Sequence, residues 1–223
     1  MTETITIDVW SDIVCPWCYV GREHLMHAIR NLGVADSVHV IHHAYQLDPN
    51  RPASEPLTAW LSKKFGPEHE HMTARVSQVG KAVGLVLDFS IGIAANTRIG
   101  HRLVHLGTRN GLGDAMLERL MRAHFAEGLD IADRETLERL ANEVRLPVEE
   151  VEGALSERRF DDAVQTDIDV ARDLGIRGVP FFVFNRRFAL SGAQPIEVFE
   201  DALRQAAEPV APPVADENIE PAA

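Results

Sequence analysis

Cys15-Pro16-Trp17-Cys18 holds both cysteines of the 223-residue chain, three positions apart. On a helix, residues i and i+3 share a face, with Cβ atoms about 5–6 Å apart. A disulfide needs little further adjustment from there. Pro16 suits a first helical position, where its missing N–H costs nothing. Cys15 would then meet the unpaired N–H groups and the positive end of a helix dipole, which favour thiolate over thiol. An ordinary cysteine, with a pKa of about 8.5, is only slightly ionised at neutral pH, whereas such sites reach roughly 3.5–7.5. Cys18, a turn deeper, is the buried partner. The chemistry expected is thiol–disulfide exchange, with Cys15 attacking and Cys18 resolving the mixed disulfide.

Other uses of the same residues fit less well. Two cysteines make neither a disulfide scaffold nor a four-cysteine zinc site. His24 with His27, or His69 with His71, would complete a Cys2His2 set. The first pair lies on the helix of the dithiol itself, however, and the second in a charged helix start. No metal is expected. His42 and His43 sit on opposite faces of a strand, and no GxGxxG, Walker loop, GxSxG or HExxH occurs.

Strand character at Thr4–Trp10 precedes the dithiol. A helix runs from Pro16 to Gly33, and a second strand spans Val38–Leu47. This is the pattern of a parallel crossover unit. From about Glu55 to Gly175 the sequence reads as helices: Leu57–Phe65, Glu68–Val83, Thr97–Arg109, Asp114–Glu127, Arg134–Glu143, Val148–Glu157 and Asp161–Leu174. Asp133 is an expected N-cap and Pro147 a first-turn proline, with Gly111, Gly128 and Gly175 as stops. Strand character returns as a hairpin, Phe181–Phe184 and Phe188–Ser191 around Asn185-Arg186, and a last helix runs to Ala206. The sheet is thus split in sequence by more than a hundred helical residues.

A net charge of −12 argues against a phosphate-backbone partner. No run of about 18 apolar residues suggests a membrane span. The opening MTETITI has no signal-peptide character, which predicts a cytoplasmic protein. The stretch 208–223 is acidic and rich in proline and alanine and reads as a loose tail.

Several runs resemble the DsbA-like branch of the thioredoxin superfamily, and within it the FrnE-type cytosolic relatives. They are VWSDIVCPWCYVG (9–21), YQLDP (45–49), NTRIGHRLVHL (96–106) and GVPFFVFNRRFALSGAQP (178–195). The order and spacing match over about residues 4–206. The resemblance implies an α/β thioredoxin fold with a large all-helical domain inserted. Residues 1–50 and 175–207 would form the discontinuous thioredoxin-like part, with helix 161–174 bridging, and 51–174 would form the insertion. It also implies a cis peptide at Val179-Pro180 facing the dithiol, where the Val179 backbone pairs with an extended substrate.

Asp12, Asn96 and His101 fall in matching motifs. Asp12 either passes protons or bonds locally in its turn. Asn96 either contacts substrate or caps the next helix. His101 lies on a helix that would overhang the dithiol, or is an ordinary core histidine. Pro16 and Trp17 sit beside the nucleophile. In DsbA the central dipeptide is Pro-His; Trp17 brings no positive charge, so a less oxidising couple is expected here.

The expected activity is that of a protein disulfide oxidoreductase with isomerase-like chemistry. It would act on a thiol or disulfide partner, either protein or small molecule, as a monomer or homodimer. It needs no cofactor beyond its own redox-active disulfide, with glutathione a candidate co-substrate. The alternative is a glutathione-dependent isomerase or transferase of the hydroxychromene-carboxylate isomerase or kappa-class type. Those enzymes typically place a serine where this chain has Cys15. A third reading, a partner-binding module without redox chemistry, would leave the dithiol unused.

Overall fold

Ile5, Ile7 and Val9 alternate with Thr6, Asp8 and Trp10, and the computed structural model, which describes residues 4–209, turns both sets inward. Strand β1 (Ile5–Ser11) is central, with β2 (Val38–Ala44) parallel on one side and β5 (Phe181–Phe184) antiparallel on the other. Strand β6 (Phe188–Ser191) completes the order β2-β1-β5-β6. Helix α1 (Pro16–Leu32) links β1 to β2 and ends at Gly33, whose φ of 64° is a left-handed cap. The β5–β6 turn is Asn185-Arg186 with φ of 49° and 56°, the double positive-φ conformation of a two-residue hairpin.

Between β2 and β5 lie β3 (Glu55–Pro56), α2 (Leu57–Phe65), α3 (His69–Ala82), β4 (Ile93–Ala94), α4 (Arg98–Arg109), α5 (Gly113–Phe125), α6 (Arg134–Glu143), α7 (Val148–Leu155) and α8 (Asp161–Asp173). Helix α9 (Ile196–Ala207) closes the described chain. The fold is therefore a thioredoxin fold carrying a helical insert. The proposed tail falls largely on residues 210–223, outside the described residues.

One face of the sheet packs Ile5, Ile7 and Val9 with Phe182 and Phe184 against Leu25 and Ile29 of α1 and Phe199 and Leu203 of α9. The helical insert has its own core, from Leu103 and Leu106 to Leu137 and Val151, and this core takes in Ile13, Cys15, Cys18 and Tyr19. The dithiol thus sits at the junction of the sheet with the insert.

Buried charges tie the junction together. Asp8 and Trp10 face α8, where His43 bonds Asp8 Oδ1 and Asp167 Oδ1, each at 2.8 Å. Asp167 Oδ2 also meets His105 Nε2 and the Ala44 N–H, both at 2.8 Å. Burial alone would push His43 down, but the two carboxylates outweigh it and hold the imidazole above its usual value. Asp167 is correspondingly lowered to about 2: burial opposes this, and hydrogen bonds from His105 and His43 overcome it. On the opposite face of β2, His42 bonds Asp114, which Arg22 also grips.

Three local expectations need correction. The second strand ends at Ala44 rather than Leu47. One further bond, Tyr45 N–H to Ser11 O at 3.0 Å, extends the ladder before the Leu47 N–H turns to Asp12 Oδ2 at 2.7 Å. The β3–β4 ribbon, pairing Glu55 with Ala94 and Pro56 with Ile93, is not among the expected elements, because two-residue strands leave no periodic signal. The N-cap at Asp133 is as expected, with Thr136 N–H donating to Asp133 Oδ2 at 2.9 Å. Pro147 sits one place earlier than expected, at the cap position before Val148.

Candidate active site

Helix α1 begins at Pro16, which makes Cys15 its N-cap residue, in extended conformation (φ −89°, ψ 111°). Its carbonyl accepts from the Cys18 N–H at 3.0 Å and the Tyr19 N–H at 3.3 Å. The Cys15 side chain makes no capping bond, so its sulfur stays available at the positive end of the helix. Both thiols are free. Cys15 is 5% exposed and Cys18 1%, in line with the order expected from a helix turn. Burial, then the adjacent Cys15, raises the Cys18 thiol well above its ordinary value.

The Val179-Pro180 peptide is cis. The Cys15 thiol lies 3.7 Å from the Val179 carbonyl oxygen, toward which it donates. This loop is pinned from two sides. The Gly192 N–H donates to Pro180 O at 2.8 Å, and His24 Nδ1 meets Gln194 O at 2.6 Å. The SGAQP run therefore anchors the proline loop to α1. His24, considered above as a metal ligand, is spent on that anchor.

Gly21 and Gly100 allow the close approach. A Cβ on Gly21 would lie 3.0 Å from Pro180 Cγ and 3.2 Å from Phe182 Cζ. On Gly100 it would come within 2.7 Å of Ile13 Cδ1, in the loop before the dithiol. Neither glycine was singled out in sequence, although Gly21 ends the 9–21 motif and Gly100 lies within 96–106.

Asp12 is fully buried, and both carboxylate oxygens are engaged. One accepts from the Leu47 N–H at 2.7 Å; the other faces His101 Nε2 at 3.4 Å, which also lies 3.1 Å from Tyr45 O. The Asp12 carbonyl accepts from the Cys15 N–H at 3.1 Å. Asn96 accepts from the Arg98 N–H at 3.0 Å and from Gln46 Nε2 at 3.1 Å, and donates to Pro49 O at 3.1 Å. It therefore closes a turn just before α4, whose N-cap is Thr97 rather than Asn96, and fastens the 45–51 loop at once.

A cleft of about 260 Å³ opens beside Cys15. Asp12, Cys15, Pro16 and Trp17 line it together; Asn96 and His101 are set back and act on the loops behind it. The half-buried Trp17 stands beside the nucleophile as expected. The far walls come from the insert and include Leu57, Trp60, Phe89 and Phe125. His124 also lines the cleft, is 1% exposed, and has no hydrogen-bond partner on either ring nitrogen. Burial pushes its imidazole down to about 4, so it is neutral at pH 7. Nothing in the sequence marks His124, which stands among apolar core residues of α5. No group of three His, Cys, Asp or Glu among the described residues is arranged to hold a metal ion, and no described helix is long and apolar enough to cross a membrane.

The chain is similar to several solved structures. A probable DsbA oxidoreductase of Streptomyces coelicolor is 35% identical, with 96% of this chain and 94% of that one covered and a TM-score of 0.86. The cytosolic disulfide reductase DsbM of Pseudomonas aeruginosa, solved with glutathione, is 24% identical over 90% and 98%, with a TM-score of 0.64. A 2-hydroxychromene-2-carboxylate isomerase superposes with a TM-score of 0.70 at 14% identity, over 90% and 95%; it shares the fold. The description DSBA-like thioredoxin domain fits residues 6–204. With that match over nearly its whole length, a thioredoxin sheet, a helical insert and two thiols at the start of α1, this chain belongs to the DsbA-like thioredoxin family.

Proposed function

We propose that the chain is a thiol–disulfide oxidoreductase with Cys15 as nucleophile and Cys18 as resolving thiol. The observation that carries this reading is the asymmetry of the pair. Cys15 caps a helix with its sulfur on the cleft, while Cys18 lies one turn deeper with its thiol held protonated.

In the reducing direction the Cys15 thiolate attacks one sulfur of a substrate disulfide. A mixed disulfide forms and one substrate thiolate leaves. Cys18, as thiolate, then attacks the Cys15 sulfur, and the second substrate thiolate leaves. The dithiol gives up two electrons, the substrate disulfide takes them, and the two cysteine protons pass to the departing thiolates. The rise in the Cys18 thiol is due first to burial and then to Cys15. Once Cys15 is bonded to substrate its charge is gone, so Cys18 ionises more readily after the first step than before it. That order suppresses premature reaction of Cys18.

The remaining roles follow from the contacts. Asp12 and His101 fix the loop that presents Cys15, and Asn96 fixes the loop facing it. Trp17 offers an apolar contact, and the Val179 backbone at the Pro180 loop receives an extended part of the substrate. The geometry favours local bonding over proton transfer for Asp12, since both its oxygens are occupied.

We propose further that the protein works as a reductase or isomerase in the cytoplasm, with glutathione as the recycling thiol. Trp17, uncharged beside the nucleophile, supports a couple below the roughly −120 mV of DsbA. Equilibration with glutathione buffers, read as the oxidised fraction of the Cys15–Cys18 pair, tests this. A potential as high as that of DsbA refutes the direction. Insulin reduction that survives Cys15→Ser refutes the mechanism. Presence of both thiols at α1 favours redox exchange over a glutathione isomerase; stoichiometric glutathione binding with no redox cycle of the pair would reverse that preference.

A further inference from the structure

The cleft beside Cys15 has a chemistry of its own. Its walls are chiefly apolar, with Leu57, Trp60, Phe65, Met72, Phe89 and Phe125 presented to the space. A cavity of about 150 Å³ already accepts benzene, so about 260 Å³ takes a substituted aromatic ring. Cys15, 5% exposed, forms part of one wall. A peptide strand pushed that deep would bury its N–H and C=O groups against walls with few partners, and each unsatisfied group is costly.

Charge at the cleft is uneven. Asp12 is held by the Leu47 N–H and His101, and Arg51 is held by Asp48 and Glu55. Lys64 is exposed at the cleft edge, its ammonium 4.5 Å from the Trp60 ring centre and 5.5 Å from that of Phe65. Among the described residues it pairs with no carboxylate. His124, at the inner wall, is buried and uncharged. The slot is therefore cationic at its rim, where Lys64 stands, and aromatic along its sides, with His124 uncharged at the inner wall and the Asp12 carboxylate held by its hydrogen bonds. An aromatic ring carrying an acid group fits that sequence of environments, with its acid group toward Lys64 and its sulfur toward Cys15.

Resting on the thiol-exchange reading above, we propose that the substrates are small aromatic thiols and disulfides bearing an acid group. Attack by the Cys15 thiolate on such a disulfide gives a Cys15–aryl mixed disulfide and one aryl thiolate. Cys18 then closes the protein disulfide and releases the second thiolate. The net charge of −12 repels anions at long range, so any preference for an anionic ring has to arise locally.

The test uses reduced full-length protein with three probes: 5,5′-dithiobis(2-nitrobenzoate), the uncharged 2,2′-dithiodipyridine, and insulin. Each second-order rate constant is divided by that of free glutathione with the same disulfide, which removes intrinsic reactivity. The expected normalised rate is about tenfold higher for the nitrobenzoate than for the dipyridine, and insulin is lowest. Lys64→Gln should erase the tenfold advantage of the nitrobenzoate over the dipyridine, and Lys64→Glu should invert it. Equal normalised rates for the two aryl disulfides, an unchanged preference in Lys64→Gln, or insulin as the best substrate overturns the proposal. Insulin as the best substrate leaves the oxidoreductase reading standing, with a protein as its partner. If no disulfide reacts at Cys15, both fail together.

Discussion

Replacing His124 with phenylalanine should stabilise the protein, and more so in acid. The imidazole is 1% exposed, neither nitrogen has a partner, and its ring stands edge-on to Phe125 with centroids 4.5 Å apart. Phenylalanine keeps the aromatic volume and removes two buried unpaired nitrogens, a gain of about 1–3 kcal/mol at pH 7 less any overpacking cost. The pH dependence is sharper. Burial lowers the folded value from 6.5 to about 4, so the unfolded chain binds the proton first as pH falls. The wild type therefore loses stability between those values, by about 3 kcal/mol in full. About 2 kcal/mol of that falls between pH 7 and pH 5 by the same linkage. Urea unfolding of both proteins at pH 7 and pH 5, followed by fluorescence and circular dichroism together, reads the difference. Titrations common to both proteins cancel. A stability gap that grows by less than about 0.5 kcal/mol on acidification would refute the burial of an uncharged His124.

The His43 cluster has the opposite sign. Its folded value lies above the unfolded one, so its contribution is fully present below about pH 6.5 and is lost as pH rises through the folded value. His43→Gln should therefore destabilise strongly at pH 6 and much less at pH 9; an equal loss at both values in urea titrations would contradict an ion-paired His43. Gly21→Ala drives a methyl against Pro180 and Phe182, so a stability loss of about 1–3 kcal/mol and slower insulin reduction are expected, and an unaltered rate would show that the proline loop need not sit this close. Iodoacetamide should modify Cys15 alone in the folded protein and both cysteines in urea, because Cys18 is buried and its thiol is held protonated. Peptide mapping that finds Cys18 labelled first would reverse the assignment of the pair.

Local signals made the redox half readable. A proline between two cysteines, an alternating strand before them and a glycine after the helix each have a short-range cause, and all three appear at the expected places. The family resemblance placed Val179-Pro180 opposite the dithiol, although the two are distant in sequence; that the SGAQP run anchors this loop is a tertiary fact. The cleft was not legible in the same way. Its walls gather Trp60 and Phe65 from α2, Met72 from α3, Phe89 from a loop and His124 from α5. No spacing rule relates these residues, since only the packing of the insert brings them together. Asp12 and His101 were legible as positions but not as partners, and their meeting across 89 residues is a tertiary fact.

The central claim, that Cys15 exchanges with substrate and Cys18 resolves, is tested most directly by trapping. Cys18→Ser protein is incubated with a disulfide substrate, quenched in acid and mapped by mass spectrometry. A stable mixed disulfide on Cys15, absent from the wild type and from a Cys15→Ser variant, is the predicted result. An adduct that resolves as fast as in the wild type, or none in Cys18→Ser while turnover continues, would contradict it.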